Sequence, residues 1–324
     1  MIIFRLIKLF FLLVYNIFIW TISIVIFTFV VVSLATFFLP EEETFLVDYQ
    51  KNTNPFNDSI FHQFEEHLAT SENKDISAEN RLKIIQNCIN EVPVSKYTRY
   101  WSDFNQNRYK SNFEISNSFV CEASYNRNQI YVNLSDRDGY WRSVYSQIVQ
   151  FDTTKMGFIY DYFEELRVNK ELDYVDFANA VVSFVQSIPY TLILSTTKDL
   201  ALQEYNSNTR EYLLQNKGPY IENIKFGLLS PLEFFHTIRG DCDTRTLVVY
   251  SILSHFGYDV VVLNCTTHSM IGLNLPAQGK AIKVKGKKYY FWETTAEGWQ
   301  LGQLPPEYNS EKDWYVALSS VNDF

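Results

Sequence analysis

From Leu9 to Leu39 the chain carries no charged residue, and most of the run is Phe, Ile, Leu or Val. An α-helix rises about 1.5 Å per residue, so roughly 20 apolar residues cross the hydrocarbon of a bilayer. The run exceeds that length, and tilt absorbs a surplus. Arg5 and Lys8 precede it, whereas Glu41, Glu42 and Glu43 follow it. Cationic flanks stay on the cytoplasmic side, so the expected arrangement is a single-pass anchor over 9–39. Residues 1–8 would then be cytoplasmic, and the bulk of the chain periplasmic or extracellular. The competing reading is a cleaved signal peptide, whose apolar region spans only about 7–15 residues. Length favours the retained anchor, with the lipid bilayer as its partner.

Beyond the anchor, residues 40–58 are acidic and Asn-rich, contain Pro40 and Pro55, and read as a stalk. The 28 basic and 37 acidic residues give a net charge of −9 with no basic stripe, which argues against nucleic acid as a partner. Aromatic residues make up 17% of the chain, a composition suited to a packed core. The four cysteines are too few for a disulfide scaffold, and Cys88–Cys121 is the pair nominated for a single bridge in an exported protein. No phosphate-binding glycine loop, nucleotide fingerprint or zinc-ligand spacing is present, so neither a cofactor nor a metal is expected. His62 and His67 are five apart, whereas two ligands on one helix face want a spacing of about four.

Residues 59–172 are expected to form an accessory region of helices and strands. Leu82, Ile85, Cys88 and Ile89 recur at helical spacing between Ser77 and Val92. Short strands are predicted at 113–115, 119–121 and 130–132, then helices over 139–151, 156–169 and 174–187, the last stopped by Pro189. The third part, 173–324, has the clearest pattern. Asp241 caps a helix from Cys242 to Phe256, and Gly257 supplies its left-handed end. Strands follow at 258–264 and 268–275, and a hairpin over 281–293 turns at Lys285-Gly286.

Cys242 lies in Gly240-Asp241-Cys242-Asp243, at the first turn of that helix. The unpaired N–H groups and dipole there favour a thiolate, while the flanking aspartates oppose one if they point the same way. A thiol nucleophile needs a base within hydrogen-bond reach, and the base needs an orienting partner. His268 opens the second strand after the helix and Glu293 closes the last one, so antiparallel pairing can bring both to one sheet edge. Taken singly, each residue has a plainer reading: a buried core cysteine, a satisfied strand histidine and a strand-end carboxylate.

Gly240-Asp241-Cys242 before an apolar helix ending in Phe256-Gly257-Tyr258-Asp259-Val260 resembles the core of the transglutaminase-like superfamily. So do Thr267-His268-Ser269-Met270-Ile271-Gly272-Leu273 and Tyr289-Tyr290-Phe291-Trp292-Glu293-Thr294-Thr295, with Gly298-Trp299 beyond. The resemblance extends loosely upstream to Phe184-Val185-Gln186-Ser187-Ile188-Pro189-Tyr190. It departs where Glu293 replaces the commoner Asp, and where Asp243 stands in place of the Trp of animal crosslinking enzymes.

The resemblance implies a papain-related core whose cysteine-bearing helix packs on an antiparallel sheet; with the N-terminal transmembrane helix and the accessory region before it, the expected fold is α+β. It further implies a membrane-anchored thiol enzyme acting on peptide or protein amides, by hydrolysis or acyl transfer. Cys242 would be the nucleophile, His268 the base and Glu293 its orienting carboxylate. The Cys242 N–H would stabilise the oxyanion, and Gln186 is the candidate for a second donor, against its plainer reading as a structural residue before Pro189. Two rivals stand beside this: an inactive relative that serves as a binding module for an envelope or surface partner, and a structural ectodomain with Cys242 in a disulfide.

Overall fold

The computed structural model describes residues 94–132, 137–204, 207–308 and 314–321, all within one compact unit spanning Phe56–Phe324. The chain enters through a hairpin, β1 (Val94–Ser102) and β2 (Arg108–Ser116), in antiparallel register from Val94 opposite Ser116 to Ser102 opposite Arg108. Alternate residues of β2, including Tyr109, Phe113 and Ile115, point inward, as a half-buried strand requires. Four helices follow: α1 (Asn117–Gln129), α2 (Arg137–Asp152), α3 (Gly157–Asn169) and α4 (Tyr174–Gln186). Asp173 caps α4 by accepting from the N–H groups of Val175 and Asp176, both at 2.8 Å.

Next come a two-residue strand β3 (Leu192–Ile193), short helices α5 (Lys198–Glu204) and α6 (Ser207–Leu214), and β4 (Tyr220–Ile221), parallel to β3. Helix α7 (Pro231–Thr237) opens with a capping box between Ser230 and Glu233 and has Pro231 in its first turn, where the missing N–H costs nothing. Helix α8 (Cys242–His255) is followed by β5 (Val260–Asn264), β6 (Ser269–Leu273), β7 (Ala281–Val284), β8 (Lys287–Trp292) and β9 (Tyr315–Ser319). These five strands form one antiparallel sheet in the order β7-β8-β6-β5-β9.

The sheet explains how the core is divided. Val260 and Val262 of β5 and Ile271 and Leu273 of β6 turn toward α8 and join the main apolar cluster. Val261, Leu263 and Met270 turn the other way, against Tyr289, Phe291 and Trp314. Both faces are therefore covered, and β5 and β6 are buried throughout. The main cluster runs without a break from the hairpin and α3 into α4, α7 and α8. Phe113 meets Phe235 edge-on at 5.6 Å, and Phe163 meets Phe184 at 5.8 Å.

The α+β class holds, but the transmembrane part of the expected fold class is corrected. Among the described residues no helix is long and apolar enough to cross a membrane. The longest, α2, has 16 residues, short of the roughly 20 a span needs, and the described helices bury their apolar faces against one another and the sheet. The run 9–39, the stalk and the helix expected near 77–92 lie outside the described residues.

A second correction concerns residues 119–121 and 130–132, which are not strands. Residues 119–121 belong to α1, whose buried positions Asn117, Val120, Cys121, Ser124 and Arg127 recur at helical spacing. The period was hidden because several of those inward residues are polar. Arg127 is fully buried and forms a two-pronged ion pair with Glu233 of α7, at 3.0 and 2.9 Å. Ile130 ends α1, its N–H donating to the Arg127 carbonyl, and pairs with no strand among the described residues. The helices expected over 139–151, 156–169 and 174–187 and the 281–293 hairpin are present within a residue or two. Lys285 and Gly286 both adopt positive φ, as a two-residue hairpin turn demands.

Candidate active site

Three segments converge at the N-terminal end of α8. Asp241 accepts from the Thr244 N–H at 3.3 Å and caps the helix, which puts Cys242 in its first turn. The helix ends as its sequence requires. Gly257 has φ +79°, its N–H reaches the Ser254 carbonyl, and the Tyr258 N–H reaches that of Leu253. Gly240 is needed for space. A Cβ there would lie 2.7 Å from Thr244 Cγ2 and 3.0 Å from Phe234 Cδ2. The glycine lets the loop enter α8 directly over α7.

His268 stands at the head of β6, in the turn from β5, and its carbonyl accepts from the Cys265 N–H at 2.9 Å. Because β8 pairs with β6, Ile271 lies opposite Trp292, and Glu293 leaves β8 two register positions from His268, at the same end of the sheet. His268 Nε2 lies 2.7 Å from Glu293 Oε2. The other carboxylate oxygen, Oε1, accepts from the N–H groups of Thr294 and Thr295 at 2.8 Å and from Thr295 Oγ1 at 2.7 Å. Burial alone would raise the Glu293 carboxyl, but His268 and Thr295 outweigh it and hold it below the ordinary carboxylate value.

Cys242 and Cys265 are free thiols, which removes the reading of Cys242 as a disulfide. Cys121 is disulfide-bonded, and its nominated partner, Cys88, lies outside the described residues. The Cys242 sulfur faces the backbone N–H of Ser269, the residue after His268. Its own proton goes elsewhere: Sγ donates to Asp243 Oδ1 at 3.5 Å, and among the described residues no thiol–imidazole hydrogen bond is made. Burial pushes the thiol well above its ordinary value, Asp243 and Asp241 push it further, and the Ser269 N–H offsets only part of this. These effects favour the protonated thiol and outweigh the helix-start effect expected of a first-turn cysteine.

Gln186 does not serve as an oxyanion donor in this arrangement. Its side-chain nitrogen donates to the main-chain oxygens of Glu293 at 2.7 Å and Trp299 at 3.0 Å. Both N–H bonds are thus used to hold the strand end that carries Glu293. The plainer reading of Gln186 as a structural residue is the one that fits.

Several residues of the site were not singled out in the sequence. Arg245, one turn into α8, is fully buried. Its guanidinium donates to the carbonyls of Gly240 (2.8 Å), Val185 (2.9 Å), Thr294 (3.2 Å) and Ile188. It ties the end of α4, the cysteine loop and the Glu293 segment together. Its place three residues after Cys242 was visible, but nothing local said that it turns inward. Behind the thiol, Asn264 Nδ2 donates to the Tyr145 hydroxyl at 2.9 Å, and Ser269 Oγ donates to Asn264 Oδ1. Tyr308, from a short turn at Pro306–Tyr308, stacks on the His268 ring.

His62 and His67 lie outside the described residues, and the other two described histidines are away from the site. His236 of α7 faces the Tyr97 hydroxyl, and His255 stacks on Tyr160 at 3.7 Å, 4° from parallel. Among the described residues, no group of His, Cys, Asp and Glu could hold a metal ion. Comparison with known protein families, with curated proteins and with solved structures found no match.

Proposed function

We propose that this protein is a thiol enzyme acting on peptide or protein amide bonds, with Cys242 as nucleophile, His268 as base and Glu293 as orienting carboxylate. The observation that carries the reading is the His268–Glu293 contact at 2.7 Å, beside a free thiol at a helix N-terminus. With Nε2 committed to Glu293, Nδ1 is the ring nitrogen left to accept a proton from sulfur. Such a carboxylate fixes the tautomer and stabilises the imidazolium that forms.

Because its surroundings favour the protonated thiol, the proton leaves as the sulfur attacks, by general-base catalysis. Sulfur bonds to the amide carbonyl carbon, its proton moves to Nδ1, and that proton then goes to the departing amine as the C–N bond breaks. The thioester passes its acyl group to water or to an amine. The Cys242 N–H, in the first turn of α8 and without a partner among the described residues, suits the developing oxyanion. The resemblance of residues 235–305 to the transglutaminase-like superfamily supports the same assignment.

Alkylation by iodoacetamide across pH tests it. Labelling that maps to Cys242, and falls in His268→Ala near neutral pH, is the expected result. Slow labelling with an ordinary thiol profile, indifferent to His268→Ala, would remove the base. The second reading, an inactive binding module, is favoured by the hydrogen bond from the thiol to Asp243, which holds the proton away from His268.

A further inference from the structure

We infer that Tyr308 is a positioning residue for His268: its ring clamps the imidazole flat and screens the His268–Glu293 hydrogen bond from water. The inference rests on the reading of that pair as base and orienting carboxylate.

The two rings lie 4.4 Å apart between centroids and 6° from parallel. Trp314 closes the edge of the pair, 6.4 Å from His268 at 76° and 6.2 Å from Tyr308 at 76°. Its indole N–H donates to the Tyr308 carbonyl at 3.4 Å, and its ring packs on Phe291 of β8 at 5.3 Å. Tyr308 is itself held by its N–H to the Pro305 carbonyl at 2.9 Å. Although His268 sits in a turn at a sheet edge, its side chain is only 9% exposed.

A histidine held through one nitrogen can still swing about that bond. A parallel ring on its face removes the swing and keeps Nδ1 in the plane set by Glu293. Other titratable groups surround the pair: Glu293 from the end of β8, Cys242 from α8 with Asp243 behind it, Cys265 from the same turn, and Glu307 beside Tyr308. The phenol hydroxyl has no part in this role, which the ring alone performs.

The test is the exchange of the His268 Nε2 proton with water, followed by NMR on the full-length protein labelled with nitrogen-15 histidine. The chain has five histidines, and His268→Gln identifies the resonance. A resolved ring proton is expected in the wild type and in Tyr308→Phe. In Tyr308→Ala it should exchange at least about tenfold faster while the amide spectrum stays folded. If the alanine variant does not fold, Tyr308→Leu, which keeps apolar bulk without a flat face, carries the same expectation. A ring proton equally protected in the folded alanine or leucine variant overturns the proposal. So does its loss in Tyr308→Phe, or its absence in the wild type. The measurement does not use the thiol and can be repeated in Cys242→Ser. A protected ring proton in a protein whose Cys242 fails to alkylate would leave Tyr308 as the clamp while removing the nucleophile.

Discussion

The Cys242 thiol donates a hydrogen bond to Asp243 Oδ1 at 3.5 Å, so the proposed nucleophile is bonded to the carboxylate next to it in sequence. That carboxylate stabilises the protonated thiol and opposes the thiolate. Asp243→Asn removes the charge while keeping the side chain's size. The pH midpoint of Cys242 alkylation should move down, and labelling near neutral pH should quicken severalfold. A midpoint that stays in place would mean that Asp243 does not set the thiol.

Glu293 is held from both of its oxygens, one on His268 and the other on the Thr294-Thr295 turn. Glu293→Gln keeps the shape and removes the charge that stabilises an imidazolium. His268-dependent reactivity of Cys242 should fall by about tenfold or more, with the fold intact. Glu293→Asp should lose nearly as much, because a chain one methylene shorter cannot reach both partners. Alkylation rates at fixed pH check both variants, and wild-type reactivity in Glu293→Asp would show that the longer side chain is not required.

Arg245 is a buried cation whose described hydrogen-bond acceptors are main-chain carbonyls. Arg245→Met would strand those carbonyls in the interior, at an expected cost of about 3–5 kcal/mol. Arg245→Lys should recover little, since an ammonium cannot fan out to reach all of them. Urea unfolding measures the loss, and a midpoint unchanged in Arg245→Met would refute the tie.

Asp152 sits buried against α7, accepting from the Leu232 N–H at 2.8 Å. Burial, opposed by that bond and by Ser230 and aided by Glu233, pushes its carboxyl up to about 7. The protonated form is the one the fold prefers. The stability it lends is complete below about 3.8, the ordinary value, and is lost as pH rises through about 7. Asp152→Asn, neutral at every pH, should therefore gain on the wild type between about pH 4 and pH 7 and hold that gain above it, with a ceiling near ~4 kcal/mol. Denaturant midpoints across that range check it, and a constant difference between the two proteins would place the carboxyl's titration elsewhere.

Patterns that depend only on neighbours along the chain were legible from sequence. The cap at Asp241, the left-handed stop at Gly257, the hairpin turn at Lys285-Gly286 and the helix from Tyr174 follow from short-range rules of hydrogen bonding and φ. So did the spacing that brings His268 and Glu293 to one sheet edge, because antiparallel register converts strand lengths into position. Where buried positions were polar, the same rules misled. Ser124 and Arg127 hid the inward face of α1, and the segment from Lys198 to Leu214 had too little periodicity to declare its two short helices.

Tertiary structure alone decided the rest, because each outcome depends on which distant group a side chain meets. Gln186 spends both its N–H bonds on carbonyls more than a hundred residues away, so the donor role foreseen for it is taken up in holding Glu293. Arg127 finds Glu233, Arg245 turns inward and Tyr308 covers His268, and none of these pairings has a local signature. The thiol shows the division most plainly. Sequence determined that Cys242 opens a helix between two aspartates, a setting with opposed electrostatic effects. Its protonation was decided by burial and by the direction in which Asp243 points, which exist only once the chain has folded.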